Sequence, residues 1–304
     1  MKLFADYEAK LRVLFDSIIK SPLDPLKYQA NNAFIETLQM ALSEKNSFKY
    51  PFDSLKNLSR LTANDNKFRI FNWAIAKNDG EFEYFAILQS FNQVKKRYEI
   101  IQLTDKSDEI PNPEDPYLDE KNWFGVIYYK IISQKVDNRT IYTLLGWDGN
   151  NRFSNKKVIE PLTIKSNGKP QFGMPIFRKA KEKKRRIIFE YSKSTVMVLR
   201  FDTQQYTYYE KKKKKKGSRP ELKSVRTEMI VFDRLIPLDP SLTGNYQFYV
   251  PELNVVDAYV FQDGKWVFME DIDARNKPKT NTVNNQEQQP KRQEKPMYQP
   301  KRNP

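Results

Sequence analysis

The chain has 304 residues, 39% hydrophobic and 13% aromatic, with 53 basic and 38 acidic side chains giving a formal net charge of +15. It contains no cysteine and no histidine, which excludes Ser-His-Asp and Cys-His nucleophile pairs, the usual Cys/His zinc sites, thiol redox couples and disulfides. Carboxylates, Lys, Tyr, Ser or a bound hard metal are left to carry any chemistry.

Leu3, Phe4, Tyr7, Leu11, Leu14, Phe15, Ile18 and Ile19 recur at the three-and-four spacing that lines one helix face. This helix is expected to end near Ser21-Pro22. Asp24-Pro25 then predicts an N-cap with proline at the first helical position, and Leu26, Ala30, Phe34, Leu38, Ala41 and Leu42 continue as a second stripe. The two read as a helical hairpin over 1–46 that covers the protein's own sheet, followed by an irregular linker over 47–66.

From residue 67 the hydrophobic period falls to two. FRIFNWAIA and EFEYFAILQ flank Asn78-Asp79-Gly80, which predicts a β-hairpin. Further strands are predicted over 97–103, 123–133, 140–147, 158–164, 186–191, 195–201, 205–210 and 228–236. The strands 257–261 and 265–269 close the series around Gln262-Asp263-Gly264. No helical stripe is long enough for a parallel crossover. The class is therefore mainly β, an antiparallel meander, sandwich, or irregular barrel or propeller-like domain over 67–274, preceded by the two N-terminal helices.

Two segments read as unstructured. Residues 105–120, acidic and carrying Pro111, Pro113 and Pro116, predict a long surface loop. Residues 275–304, dominated by Asn, Gln, Pro, Lys and Arg, predict a disordered basic tail. No run approaches the roughly 18 to 20 apolar residues of a membrane-spanning helix. The opening MKLFADYEAK is too charged for the apolar core of a secretory signal, about 7 to 15 residues long.

The basicity is local. Residues 175–227 hold 18 basic and 5 acidic side chains, whereas 228–274 hold 2 and 9, and 275–304 hold 8 and 2. Two clusters dominate, each between predicted strands: Arg178, Lys179, Lys181, Lys183, Lys184, Arg185 and Arg186, then Lys211, Lys212, Lys213, Lys214, Lys215 and Lys216. Both are expected at loop tips or strand ends. There they would attract anionic polymers or an anionic membrane surface by salt-sensitive, sequence-independent forces, or simply be solvated. Tyr206, Tyr208 and Tyr209 beside the lysine run could stack on bases, although alternating tyrosines also make an ordinary sheet face.

Asp148, Glu160, Glu270, Asp271 and Asp273 are the candidate acids for hydrolytic chemistry, without a sequence context that pairs any two of them. GWDGNN at 146–151 begins like a calcium loop but places Arg152 and Phe153 where a ligand and a glycine belong, so it reads as a turn. No catalytic residue, cofactor site or metal site is assigned.

YPFDSLKNLSRL, KFRIFNWAI, LLGWDGNN, MIVFDRLIP and DGKWVFMEDID together resemble a group of uncharacterised Bacteroidetes proteins over roughly residues 50–275. That group has no assigned activity, so the resemblance transfers no site residue. Its members usually begin with an export signal. It therefore implies a periplasmic or envelope setting if the chain is a trimmed mature form, and a cytoplasmic one otherwise. The leading expectation is a non-catalytic binding or accessory protein of the bacterial cell envelope that engages another protein. An anionic-polymer binder is the alternative, and a carboxylate-based hydrolase the third.

Overall fold

The computed structural model describes residues 2–137, 139–179, 184–210 and 221–272. Two helices open it, α1 (Lys2–Lys20) and α2 (Asp24–Ser43). Their stripes meet the β domain directly: Leu11, Phe15, Ile18, Phe34, Leu38 and Leu42 pack with Phe71, Trp73, Ile75 and Ile87. Burying each such side chain contributes about 1.5–3 kcal/mol. The Trp73 indole N–H donates to Asn31 Oδ1 at 2.7 Å, which keeps its polar edge satisfied inside this core.

Asp24, expected as the cap of α2, does not cap it; Leu23 occupies that position without a side-chain hydrogen bond. The carboxylate turns to the sheet instead, accepting Asn78 N–H at 3.0 Å and pairing with Lys27 Nζ at 2.8 Å. Lys27 also donates to Ala76 O at 2.7 Å and Asn78 Oδ1 at 2.9 Å. The start of α2 is thereby fastened to the hairpin turn.

The β domain is three open sheets. The first is β1 (Ser59–Thr62), β2 (Phe68–Ala76), β3 (Phe82–Asn92) and β4 (Arg97–Thr104), in that order. The second comprises β5 (Ile127–Val136), β6 (Arg139–Asp148), β7 (Ser154–Ile164) and β10 (Ile187–Ser192), ordered β10-β7-β6-β5, with β8 (Pro170–Phe172) also on β7. The third comprises β9 (Phe177–Arg178), β11 (Leu199–Glu210), β12 (Glu221–Pro237), β13 (Tyr249–Gln262) and β14 (Lys265–Met269), ordered β11-β12-β13-β14-β9. Pairing is antiparallel apart from β9 with β14.

The expected mainly β, antiparallel class with two leading helices is what the structure shows, and among the described residues no barrel closes. Period-two alternation builds the layers. Phe68 and Ile70 of β2 face Tyr142, Leu144 and Val158 of the second sheet, while Phe71, Trp73 and Ile75 face the helices. On the far face of the second sheet, Leu145, Ile159 and Ile187 meet Ile230, Phe232, Tyr259 and Trp266 of the third. The order of layers is helices, first sheet, second sheet, third sheet. Burial on both faces explains the near-continuous apolar reading of β6.

The stretch read as a linker is folded into this stack. A 3₁₀ turn spans Ser47–Lys49, Phe52, Leu55 and Leu58 are buried, and β1 ends the segment. Arg69 secures it, donating to Ser47 O at 2.9 Å, Tyr50 O at 2.7 Å and Gln89 Oε1 at 2.8 Å, with the Phe48, Phe52 and Phe71 rings around its guanidinium. The strand predicted over 195–201 begins only at Leu199 and runs on through 205–210 as β11, and the short β1, β8 and β9 were not foreseen. The predicted tail over 275–304 lies outside the described residues. Among the described residues, no helix is long and apolar enough to cross a membrane.

Candidate functional site

The acidic, proline-bearing loop and the first basic cluster, 70 residues apart in sequence, are partners in space. The loop opens with a 3₁₀ turn over Ser107–Glu109 and turns again at 112–115, where Asp115 N–H donates to Asn112 O at 2.9 Å. Its Glu114 accepts Arg185 N–H on its carbonyl at 2.8 Å, accepts Ile188 N–H on Oε1 at 2.9 Å, and pairs with Lys184 through Oε2 at 2.6 Å. Arg185 donates to Asp115 O at 2.5 Å and stacks over Tyr117 at 4.3 Å.

Arg186 corrects the expectation that every member of this cluster can contact an anion. It is 0% exposed. Its Nε donates to Glu160 Oε1 at 2.7 Å and its Nη1 to Pro113 O, while the other Glu160 oxygen accepts Tyr128 O–H at 2.9 Å. Arg186 begins the approach to β10 on the face that meets the first sheet, so the strand carries it inward and it cannot serve as a surface anion contact. Arg178 and Lys179 are exposed, with Lys179 Nζ over the Phe268 ring at 4.5 Å. Lys181, Lys183 and Lys211 to Lys216 lie outside the described residues.

Beside the strapped loop, the second and third sheets diverge and leave a groove of about 790 Å³. One wall is β10, from Ile187 to Glu190; the other is Phe232–Leu235 of β12 with Asp257, Tyr259 and Phe268. Asn112 to Asp115 and Tyr246 form its rims. Aromatic rings make the floor: Phe189 and Phe232 centroids are 4.7 Å apart, Phe232 and Tyr259 5.5 Å, and Tyr259 and Phe268 5.6 Å. Volume and lining fall within the range of about 300–1,000 Å³ found for ligand sites.

Charge in the groove is nearly balanced. Lys156, Lys179, Lys184 and Arg234 stand against Glu114, Asp115, Glu190, Asp233 and Asp257. Most of these carboxylates are already engaged. Asp257 holds Arg234 Nη2 at 2.6 Å, which raises the pKa of that guanidinium, and accepts Asp271 N–H at 2.9 Å. Asp233 accepts Val198 N–H at 2.7 Å, and Glu190 accepts Ser154 O–H at 2.6 Å.

The acids nominated from sequence are dispersed. Asp148 is buried under Tyr84, whose O–H donates to it at 2.7 Å, and it also accepts Asn150 N–H at 2.6 Å. Burial raises its pKa, opposed by Lys156 at 3.7 Å. Glu160 belongs to the separate Arg186 cluster. Glu270 and Asp271 are exposed, the former 3.3 Å from Arg234, and Asp273 lies outside the described residues. GWDGNN turns between β6 and β7, with Asn150 donating to Ser154 Oγ at 2.7 Å and Lys193 donating to Gly149 O at 2.9 Å. Among the described residues, no group of three or more Asp or Glu is placed to hold a metal ion.

A larger depression of about 1150 Å³ lies between the end of α2 and β4, but its rings, Phe48 and Tyr98, stack on each other at 4.0 Å rather than face a ligand. No protein-family model, curated protein or solved structure matches the chain. Sequence reasoning missed the aromatic floor. Its signal was present: IIFEY, VFDRL and VDAYVF place aromatic residues on three strands that a stacked-sheet topology brings together.

Proposed function

We propose that the protein is a non-catalytic binding or accessory protein that holds a segment of a partner protein in the groove between the second and third sheets. The observation that carries this reading is an aromatic-floored groove of about 790 Å³ whose charged rim is almost neutral. Aromatic floors with polar rims are how protein segments are anchored and oriented. Engagement of Glu114, Glu190, Asp233 and Asp257 by cations, hydroxyl or backbone N–H groups favours binding over acid–base chemistry. The resemblance to exported Bacteroidetes proteins supports an envelope setting as part of the same proposal.

A displayed random-peptide library selected on the intact chain tests it. Enriched peptides should lose binding by about tenfold or more, roughly the weight of one buried aromatic anchor, in Tyr246→Ala and Phe268→Ala. Binding that is indifferent to both substitutions contradicts the proposal, as does turnover of a glycan or phosphoester by the purified chain.

The anionic-polymer reading rests on Arg178, Lys179, Lys181, Lys183, Lys184, Arg185 and Arg186, the lysines at 211–216 and the tail. Internal engagement of Lys184, Arg185 and Arg186 removes part of its basis. Salt-dependent heparin binding that survives replacement of the 211–216 lysines by serine would remove its central claim.

A further inference from the structure

The geometry points to strand addition: an extended, near-neutral peptide segment of the partner pairs with the open edge of β10. This rests on the groove being a protein-binding site, and it names how that site takes its ligand.

β10 ends the second sheet and pairs with β7 on one side only. Antiparallel geometry sends the N–H and C=O of alternate residues toward the neighbour and those of the intervening residues away from it. Ile188 fixes the phase. Its N–H is bonded to Glu114 Oε1, away from β7, so the N–H of Glu190 and the carbonyls of Ile188 and Glu190 point the same way. Among the described residues, no group bonds to those three.

A free edge alone is ordinary, and this one is only six residues long. Here, however, the edge lies inside the groove, with Ile188, Phe189 and Glu190 all lining it. The Glu114 carboxylate already stands where the carbonyl of a neighbouring strand would stand. A ligand continuing that row needs alternating main-chain donors and acceptors, which an extended peptide has and a glycan or polyphosphate lacks. The rows of side chains on such a strand would meet Phe189 and Phe232 on one face and the Lys156–Glu190 side on the other. Four cations against five anions in the lining favour a segment without strong net charge. The occupant is therefore a peptide segment rather than a polyanion, and the recess between the 112–115 loop and Tyr246 suits a single strand better than the sheet edge of a second copy.

The test uses the tightest peptide from the library selection, resynthesised as the probe, against the intact chain. Glu190→Pro removes the outward N–H at an edge position where proline is tolerated; Glu190→Ala removes the side chain and keeps the N–H. Affinity should fall about tenfold or more in Glu190→Pro relative to Glu190→Ala. Should Glu190→Pro not fold, the wild-type chain decides: N-methylating alternate residues of the probe should abolish binding in one alternating set and spare it in the other. Equal binding to both variants, or tolerance of N-methylation throughout, overturns strand addition. If Phe268→Ala still abolishes binding in that case, the groove reading survives; if it does not, both fall. Self-association that is abolished by Glu190→Pro would replace the peptide with a second copy and overturn the stated occupant.

Discussion

Arg186 and Glu160, each with a side chain 0% exposed, form a pair whose two charges are taken wholly out of water. Such a pair adds little net stability when whole, because desolvation offsets attraction, but leaving one charge uncompensated costs about 3–5 kcal/mol. Arg186→Met should therefore destabilise the chain by about that amount in urea denaturation, and adding Glu160→Gln should restore part of the loss by removing the stranded carboxylate. A loss below about 1 kcal/mol for the single variant would mean Glu160 is not stranded. Residue type gave no warning of this burial, since Arg186 is the last member of a run that looks solvated. Its position did carry a hint, because it directly precedes IIFEYS and shares the alternation of Ile188 and Glu190.

At the level of the elements, β12 and β13 part company beside the groove. Asp233 pairs with Val256, but Leu235 pairs with Pro251, so the residues between bulge out of β13. Asn254 sits there at φ 61° and Leu253 is 88% exposed. The left-handed backbone suits Asn or Gly and penalises a β-branched side chain by roughly 1–2 kcal/mol. Asn254→Val should lower stability by about that amount while Asn254→Gly leaves it nearly unchanged, as read by thermal denaturation; equal stability of the two would show that the bulge relaxes. The hairpin around Asn78-Asp79-Gly80 was legible because turn chemistry and period agree locally, and β14 was legible residue for residue. The bulge was not, since it arises from register between strands rather than from either strand alone. The segment at 47–66 misled for a related reason: Phe52, Leu55 and Leu58 have no regular period, and burial comes to them only when Arg69 draws the segment onto the first sheet.

At the largest scale the described residues form a stack in which each sheet covers the next, and the groove is where the second and third layers stop covering each other. A +15 chain suggests a polyanion partner, yet Lys184 and Arg185 beside the groove are answered by the 105–120 loop and Arg234 by Asp257, and the lining is nearly neutral. Net charge therefore misdirects where its distribution informs. The sheet stacking was foreshadowed by alternation, whereas the pairing of an acidic loop with a basic cluster 70 residues away depended on topology that no local pattern encodes. Amide hydrogen exchange at Glu190, followed by NMR with and without a saturating selected peptide, tests strand addition at the edge itself. This amide, free at the edge of β10, should slow by about tenfold or more on binding, as a main-chain hydrogen bond forms. An unchanged exchange rate at Glu190 with the peptide bound at saturation would contradict it.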